Sequence, residues 1–230
     1  MKDYYTSEGI NASTLKYFAG DYFSPTQALY KMRNPFEPTQ AMSLGTAVHS
    51  ILEHEMNTDE AYEVIAGAYK TEKARAPQMN KACAMANNVW ETCKDVVQSP
   101  NAIRERAHFV GEFKALIDLE VDGVGYDYKT TRVTTLDECR REAHKYHLEV
   151  QAYHYCTFGN FKGFEFIFVS SVEPHQVFRL KCSQEYLQDF AKPRWEQALE
   201  RYYKYKDMDI PLIEDDTLDI PSWYEKEVFA

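Results

Sequence analysis

The pair Asp122-Gly123 sits between two runs of alternating residues, ALIDLEV before it and VGYDYKTT after it, and this stretch narrows the choice of folds more than any other. A two-residue type I′ turn needs positive φ at both central positions, which Asp-Gly supplies, so residues 115–131 are predicted to form a β-hairpin. The turn sets Val121 opposite Val124. Carrying that register outward sets Leu119 opposite Tyr126 and Asp118 opposite Asp127, with cross-strand Cβ atoms roughly 4.5–5.5 Å apart. The alternation is read back through HFVGEFK, so that Phe109, Phe113, Ala115, Ile117, Leu119 and Val121 share an apolar face while Glu112, Lys114 and Asp118 share the other. Lys129 follows on the face of Asp127. Two like charges facing each other destabilise a sheet unless something compensates them, and a divalent cation held by oxygen ligands meets that need. The competing reading is a solvated strand face, since D-x-K by itself is common.

Helical patterns surround the hairpin. Asn11 or Ser13 can cap a short helix through Phe18, and Ser24-Pro25 marks a second start, with Ser at the cap and Pro at the first helical position. After the breaking loop NPFEPT, the residues Leu44, Ala47, Val48, Ile51 and Leu52 follow helical spacing from Gln40 to about Glu55, with His49 bordering that stripe. Gly45 lies one turn before His49, and because a mid-helix glycine costs about 1 kcal/mol relative to alanine, some group is expected to approach closely there. A further helix is expected over 59–69. The polar stretch YKTEKARAPQMNK is read as a loop or linker carrying a basic patch, in which Lys73 and Arg75 are candidate phosphate contacts. Ala82, Ala86, Val89, Trp90, Cys93, Val96 and Val97 then mark a long scaffold helix. Beyond the hairpin, Thr134 or Thr135 can cap a helix containing DECRREAHK, and a second begins near His147, placing Gln151 and Tyr155 on one face. FEFIFVSS and QVFRL read as buried strands. Residues 184–206 are helical in pattern, divided at Pro193, and Trp223 is expected to pin the terminus. This order suits an α/β fold with a mixed central β-sheet flanked by helices. One domain is expected over 1–230, with a mainly helical front part to 107, the sheet and its helix over 108–182, and a C-terminal helix and tail from 183.

Composition removes several function classes. A chain of 230 residues with 44% hydrophobic content can bury a sizeable core. No apolar run reaches the roughly 20 residues that span a bilayer, and MKDYYTSEG lacks a signal-peptide core, so a soluble, cytoplasmic protein is expected. Five scattered cysteines with no C-x-x-C pair disfavour a disulfide framework, a zinc knuckle and an iron-sulfur cluster. The net charge of −10, part of it in the tail IEDDTLD, argues against a general basic coat for nucleic acid and confines any DNA contact to a local surface.

Two strand carboxylates with a neighbouring lysine suit phosphodiester hydrolysis. The acids can hold Mg²⁺ or Mn²⁺ with the help of a backbone carbonyl, the lysine can orient or deprotonate a water, and a histidine from an adjacent helix can complete the ligands. In this context GTAVH at Gly45 to His49, IDL at Ile117 to Leu119, DYKTT at Asp127 to Thr131 and Q-x-x-x-Y at Gln151 to Tyr155 resemble, in order, the motifs of the PD-(D/E)XK nucleases, specifically the RecB-like and RecE-like (exonuclease VIII) branch of bacteria and their phages. SPTQALY at Ser24 to Tyr30 and the ending IPSWYEKE are weaker echoes. The chain departs from the pattern in having Ile117, not proline, before the first Asp, and no helicase portion.

The resemblance implies that His49, Asp118, Asp127 and the Tyr128 carbonyl bind the metal and that Lys129 is catalytic. Gln151 and Tyr155 would support the site and contact the DNA end, with Thr130, Thr131 and Arg132 as phosphate contacts. Glu112 is a further candidate for a second ion or for orienting Lys129. It also implies an exonuclease working 5′ to 3′ from double-stranded DNA ends in recombination or repair, as a trimeric or tetrameric ring beside a single-strand annealing protein. Such a ring needs a positive charge only on its inner wall. The competing functions are an endonuclease or nickase of the same fold and a catalytically silent DNA-binding or assembly module.

Overall fold

The computed structural model describes residues 2–20, 23–34 and 38–209. The expectations for Trp223, for the acidic run at 213–219 and for the IPSWYEKE ending lie outside those residues.

Three strands form a meander: β1 (Ile103–Val110), β2 (Phe113–Val121) and β3 (Val124–Thr131), each antiparallel to the next. Two helices, α8 (Leu136–Lys145) and α9 (Leu148–Phe158), carry the chain to β4 (Gly163–Ser170), which pairs parallel to β3, and β5 (Val177–Cys182) closes the sheet antiparallel to β4. The result is a mixed five-stranded sheet in the order β1-β2-β3-β4-β5. The front of the chain supplies α1 (Lys2–Thr6), α2 (Ala12–Lys16), α3 (Pro25–Arg33), α4 (Gln40–Glu53), α5 (Asp59–Ala68), α6 (Glu72–Thr92) and α7 (Lys94–Val97). A π-helical turn at Tyr186–Ala191 leads into α10 (Lys192–Tyr205), with Pro193 in its first turn, where its missing N–H costs nothing.

Helices cover both faces of the sheet. Val48, Ile51, Met85 and Val89 of α4 and α6 pack against Leu119, Val121, Tyr126, Tyr128, Ile167 and Val169. On the other face Cys139, Leu148, Ala152 and Tyr155 of α8 and α9 pack against Ala115, Ile117, Phe164, Phe166 and Phe168. Strand β4 is buried on both sides, which explains its unbroken apolar run. A third cluster joins α2 and α3 to α9 and α10 through Leu15, Phe18, Leu29, Val150 and Trp195.

The local signals shape these elements as their chemistry requires. Asp122 and Gly123 have φ of 50° and 78°, the I′ turn, and Val121 pairs with Val124. Asn11, Ser24 and Thr135 each accept a backbone N–H at the start of α2, α3 and α8. The five cysteines are free.

Four expectations are corrected. HFVGEFK is not one strand: Gly111, at φ 59°, and Glu112 turn the chain between β1 and β2, pairing Val110 with Phe113. A two-residue turn puts those two on the same face, so the odd-even count reverses there and Phe109 faces with Lys114. Within β2 the apolar residues do not share one face either, since Ala115 and Ile117 pack toward α9 while Leu119 and Val121 pack toward α6. The basic stretch expected as a loop forms the first turns of α6 with Pro77 inside it, and β5 is an edge strand, buried mainly at Phe178.

Candidate active site

The irregularity of β2 is centred on Asp118. Arg104 pairs with Leu119 and Arg106 with Ile117, but the position between them, Glu105 opposite Asp118, makes no ladder pair, and Glu105 has φ of 47°. On the other side the β2–β3 ladder runs from Val121–Val124 to Leu119–Tyr126 and stops one step short of Asp118 and Asp127. The expected cross-strand pair of aspartates therefore does not form as a ladder pair. Instead the strands part, and Asp118 Oδ2 accepts the Tyr128 N–H at 2.7 Å. A residue's N–H and C=O leave a strand on the same edge, so the Tyr128 carbonyl is directed into the same gap. Three acids, Glu105, Asp118 and Asp127, thus lie abreast on three adjacent strands where pairing has failed.

Helices from both faces reach this row. From α4, His49 brings Nδ1 to 3.4 Å from Asp118 Oδ2, and its ring meets Tyr128 edge-on at 5.7 Å. The helix can approach because residue 45 is glycine: a Cβ there would stand 2.7 Å from Thr130 Oγ1 on β3. This is the close approach that the mid-helix glycine predicted. From α9, Gln151 donates to Asp127 Oδ1 at 2.5 Å and accepts Lys16 Nζ at 3.1 Å. Lys129 Nζ is ion-paired with Asp127 Oδ2 without hydrogen-bond geometry, so this buried oxygen stays unsatisfied.

The electrostatics follow from crowding. Burial first, then the charge of Asp127, hold the Asp118 carboxyl above the usual aspartate range, against the pull of His49, Lys129 and the Tyr128 N–H. Burial and the neighbouring charges of Asp118 and Glu53 push Glu105 up to about 8. Burial, then the Lys129 charge, push Lys16 down to about 8. The two carboxyl shifts ease when a cation enters among the acids, whereas the same positive charge pushes Lys16 further down. The row opens into a cavity of about 760 Å³ bordered by Tyr4, Tyr5, His49, Glu53, Glu105, Asp118, Lys129 and Tyr155.

Not every expected residue joins it. Glu112 lies in the β1–β2 turn, six residues along the strand from Asp118 and so about 20 Å away, where it accepts the Tyr203 hydroxyl. It cannot serve the cavity. Thr131 turns away to donate to Glu142 at 2.5 Å, and Arg132 is exposed just beyond β3. Arg75 is occupied with the Tyr69 carbonyl at 2.7 Å, Lys73 is exposed, and neither borders the cavity. Lys114, buried, holds the N-terminal segment through the carbonyls of Tyr4 and Ser7 at 2.9 and 2.6 Å.

Two site residues escaped the sequence reading. Glu105 becomes visible once Gly111-Glu112 is taken as a turn, because the register from Val110–Phe113 then sets it opposite Asp118. Lys16 arrives from 135 residues away along the chain, and nothing in its neighbourhood announces it.

The residues fit a divalent cation. Carboxylates, one imidazole and a backbone carbonyl directed into the gap form an oxygen-rich donor set with one nitrogen, and the buried Asp127 Oδ2 has an ion pair with Lys129 but no hydrogen bond. His49, Asp118 and Asp127 are not drawn into a tight trio, because Gln151 and Lys129 hold Asp127. Among the described residues the trio with donor atoms within 4.8 Å of one another is Glu53, His54 and Glu60, with Glu53 half-buried, His54 and Glu60 exposed, and both carboxylates bordering the cavity.

Comparison with known families decides the relationship. Residues 11–210 match the family described as PDDEXK-like domain of unknown function (DUF3799). This chain belongs to that family. Its α/β architecture is that of the PDDEXK-like domains. A crystal structure from Eubacterium rectale, described as a "putative exonuclease", has the same fold, with a TM-score of 0.69 at 15% identity over 96% of this chain and 94% of that one. A phage-related exonuclease from Haemophilus somnus aligns with a TM-score of 0.46 at 12% identity, over 89% and 97% of the two chains. No curated protein matches this DUF3799 member. Among its described residues no helix is long and apolar enough to cross a membrane.

Proposed function

We propose that this protein is a metal-dependent nuclease, an exodeoxyribonuclease acting from the ends of double-stranded DNA. The observation that carries the reading is the row of Glu105, Asp118 and Asp127 at the point where the ladders of β2 fail, with Lys129 beside it and His49 above it. Acids set abreast on adjacent strands destabilise one another, and a cation among them would relieve that repulsion. His49, Asp118, Asp127 and the Tyr128 carbonyl would hold Mg²⁺ or Mn²⁺, and Glu105 takes the outlying role once assigned to Glu112. Bound there, the ion supplies positive charge to a phosphodiester oxygen as negative charge develops on it.

The side chains would do the rest. Gln151 fixes the direction of Asp127 through its short hydrogen bond. Lys129, its Nζ 5.9 Å over the Phe166 ring, would orient the attacking water by donating to it from its ammonium, and the water's proton would pass to solvent as its oxygen bonds to phosphorus and the bond to the leaving sugar oxygen breaks. Polarity from 5′ to 3′, a role in recombination or repair in a bacterial or phage setting, a ring of three or four copies and an annealing partner extend the proposal by resemblance.

The test is digestion of linear duplex labelled at its 5′ or 3′ end, with Mg²⁺ or with EDTA. Asp118→Ala, Asp127→Ala and Lys129→Ala should each lower end-dependent degradation on the order of 10²-fold or more, with the folded state retained at the assay temperature by circular dichroism. Full activity in any of them removes that residue from the site. A covalently closed circle should stay intact, and its nicking would favour the endonuclease. One observation favours a silent module: both Asp127 oxygens are already approached by side chains of the protein. That alternative requires that Mn²⁺ titration give no heat.

A further inference from the structure

A second cavity, of about 650 Å³, adjoins the first and shares Ser13, Met42, Lys129 and Thr130 with it. The two have opposite charge. The first gathers Glu53, Glu60, Glu105 and Asp118, whereas the second is walled by Lys16, Lys31, Lys129 and Lys145 against one acid, Glu142, which is already hydrogen-bonded to Thr131. Four lysines facing one carboxylate run against a net charge of −10 for the whole chain. Aromatic rings interleave with them: Lys31 Nζ stands 5.0 Å over Phe23, and Lys145 Nζ stands 5.3 Å over Tyr146, which is 52% exposed. Neither Lys31 nor Lys145 pairs with a carboxylate among the described residues.

Ammonium groups without a carboxylate partner beside the exposed Tyr146 ring match one ligand chemistry, phosphates alternating with bases whose faces are free to stack. In a duplex those faces are covered by the neighbouring pairs. We propose that this cavity binds unpaired nucleotides of the strand being cut, so that the strand runs from the acidic cavity over Lys129 and Thr130 into the basic one. The preferred substrate is then an end whose attacked strand is already single-stranded over several nucleotides. This rests on the nuclease reading for the strand's course, but binding itself requires no cleavage.

The experiment measures fluorescence anisotropy of a labelled short oligothymidylate with the whole protein in EDTA, where nothing is cut. Wild type should bind it more tightly than a blunt duplex of equal length. The Lys31→Glu/Lys145→Glu double variant, at one half-buried and one exposed position, should stay folded at the assay temperature and bind at least about tenfold more weakly, with a salt slope smaller by about 1.4, at 0.7 per phosphate contact. Tyr146→Ala should weaken binding without altering the salt slope. Oligothymidylate binding that is absent in wild type, or equal in wild type and the double variant, overturns the proposal. Asp118→Ala separates the two readings: retained oligothymidylate binding with lost cleavage supports both. Retained binding with full cleavage supports the cavity assignment and removes the acidic row from catalysis.

Discussion

Gly45 shows how one residue links stability to the site. In an exposed helix Gly→Ala would gain about 1 kcal/mol, but here the new Cβ would meet Thr130 Oγ1 at 2.7 Å, well inside contact distance. Overpacking of this kind costs about 1–3 kcal/mol, so Gly45→Ala is expected to lower the melting temperature, by about 2–4 °C per kcal/mol for a chain of this size. Adding Thr130→Ala removes the clashing oxygen and should recover at least half of the loss; a double variant no better than the single one would show that the approach is not what glycine serves. His154 offers a pH test. It is fully buried, its Nδ1 accepts the Trp195 indole N–H at 3.2 Å, and its Nε2 therefore donates to the Lys114 carbonyl at 3.1 Å. Burial pushes its pKa down to about 4. The unfolded imidazole takes up a proton below about 6.5 that the folded one refuses, so this residue's contribution is complete above 6.5 and is lost as pH falls toward 4. Between pH 7 and 5, urea unfolding should cost wild type about 2 kcal/mol more stability than His154→Gln. Equal losses would refute the assignment.

At the scale of elements, β2 is a strand interrupted by its own side chain. Asp118 stands in for a ladder acceptor by taking the Tyr128 N–H, while its carboxyl, with its pKa raised by burial and Asp127, makes ionisation unfavourable to folding. The two effects can be separated. Asp118→Asn keeps an acceptor and removes the charge, so without metal it should be more stable than wild type at pH 7, on the order of 1 kcal/mol, and the advantage should shrink as pH falls and Asp118 becomes protonated. Asp118→Ala strands a buried N–H and should cost about 1–3 kcal/mol. Denaturant midpoints decide it, and an Asn variant less stable than wild type at every pH would be inconsistent with crowded charge. The elements themselves were legible wherever a local device defines them: the I′ turn, the Asn11, Ser24 and Thr135 caps, and the stripe of α4. The β1–β2 turn was missed because glycine at the first central position of a II′-type turn is a quieter signal than Asp-Gly, and apolar residues continued on both sides of it. The start of α6 was missed because Pro77 and the charges around it read as a break, while the burial of Ala82, Met85, Ala86 and Val89 further along draws the helix through.

For the whole molecule, charge is sorted more than it is summed. The chain carries −10, yet acids collect around one cavity and lysines around its neighbour. The acidic side should respond to metal as a unit: at a hundred times its dissociation constant, a cation bound to the folded state alone adds about 2.7 kcal/mol. That should appear as a rise of about 5–10 °C in melting temperature with Mn²⁺, reversed by EDTA and lost in Asp127→Ala. A shift retained in that variant would relocate the ion to Glu53, His54 and Glu60. By itself the sequence determined the hairpin turn, the amphipathic stripes, the caps and the kinds of donor at His49, Asp118, Asp127 and Lys129, because each depends on residues a few positions apart. Only the tertiary structure decided that the ladders stop at Asp118, that Glu105 and not Glu112 stands beside it, and that Lys16 meets Gln151 across 135 residues. Those outcomes depend on how separate elements pack, and packing is set by shape and burial across the whole fold, which no local pattern encodes.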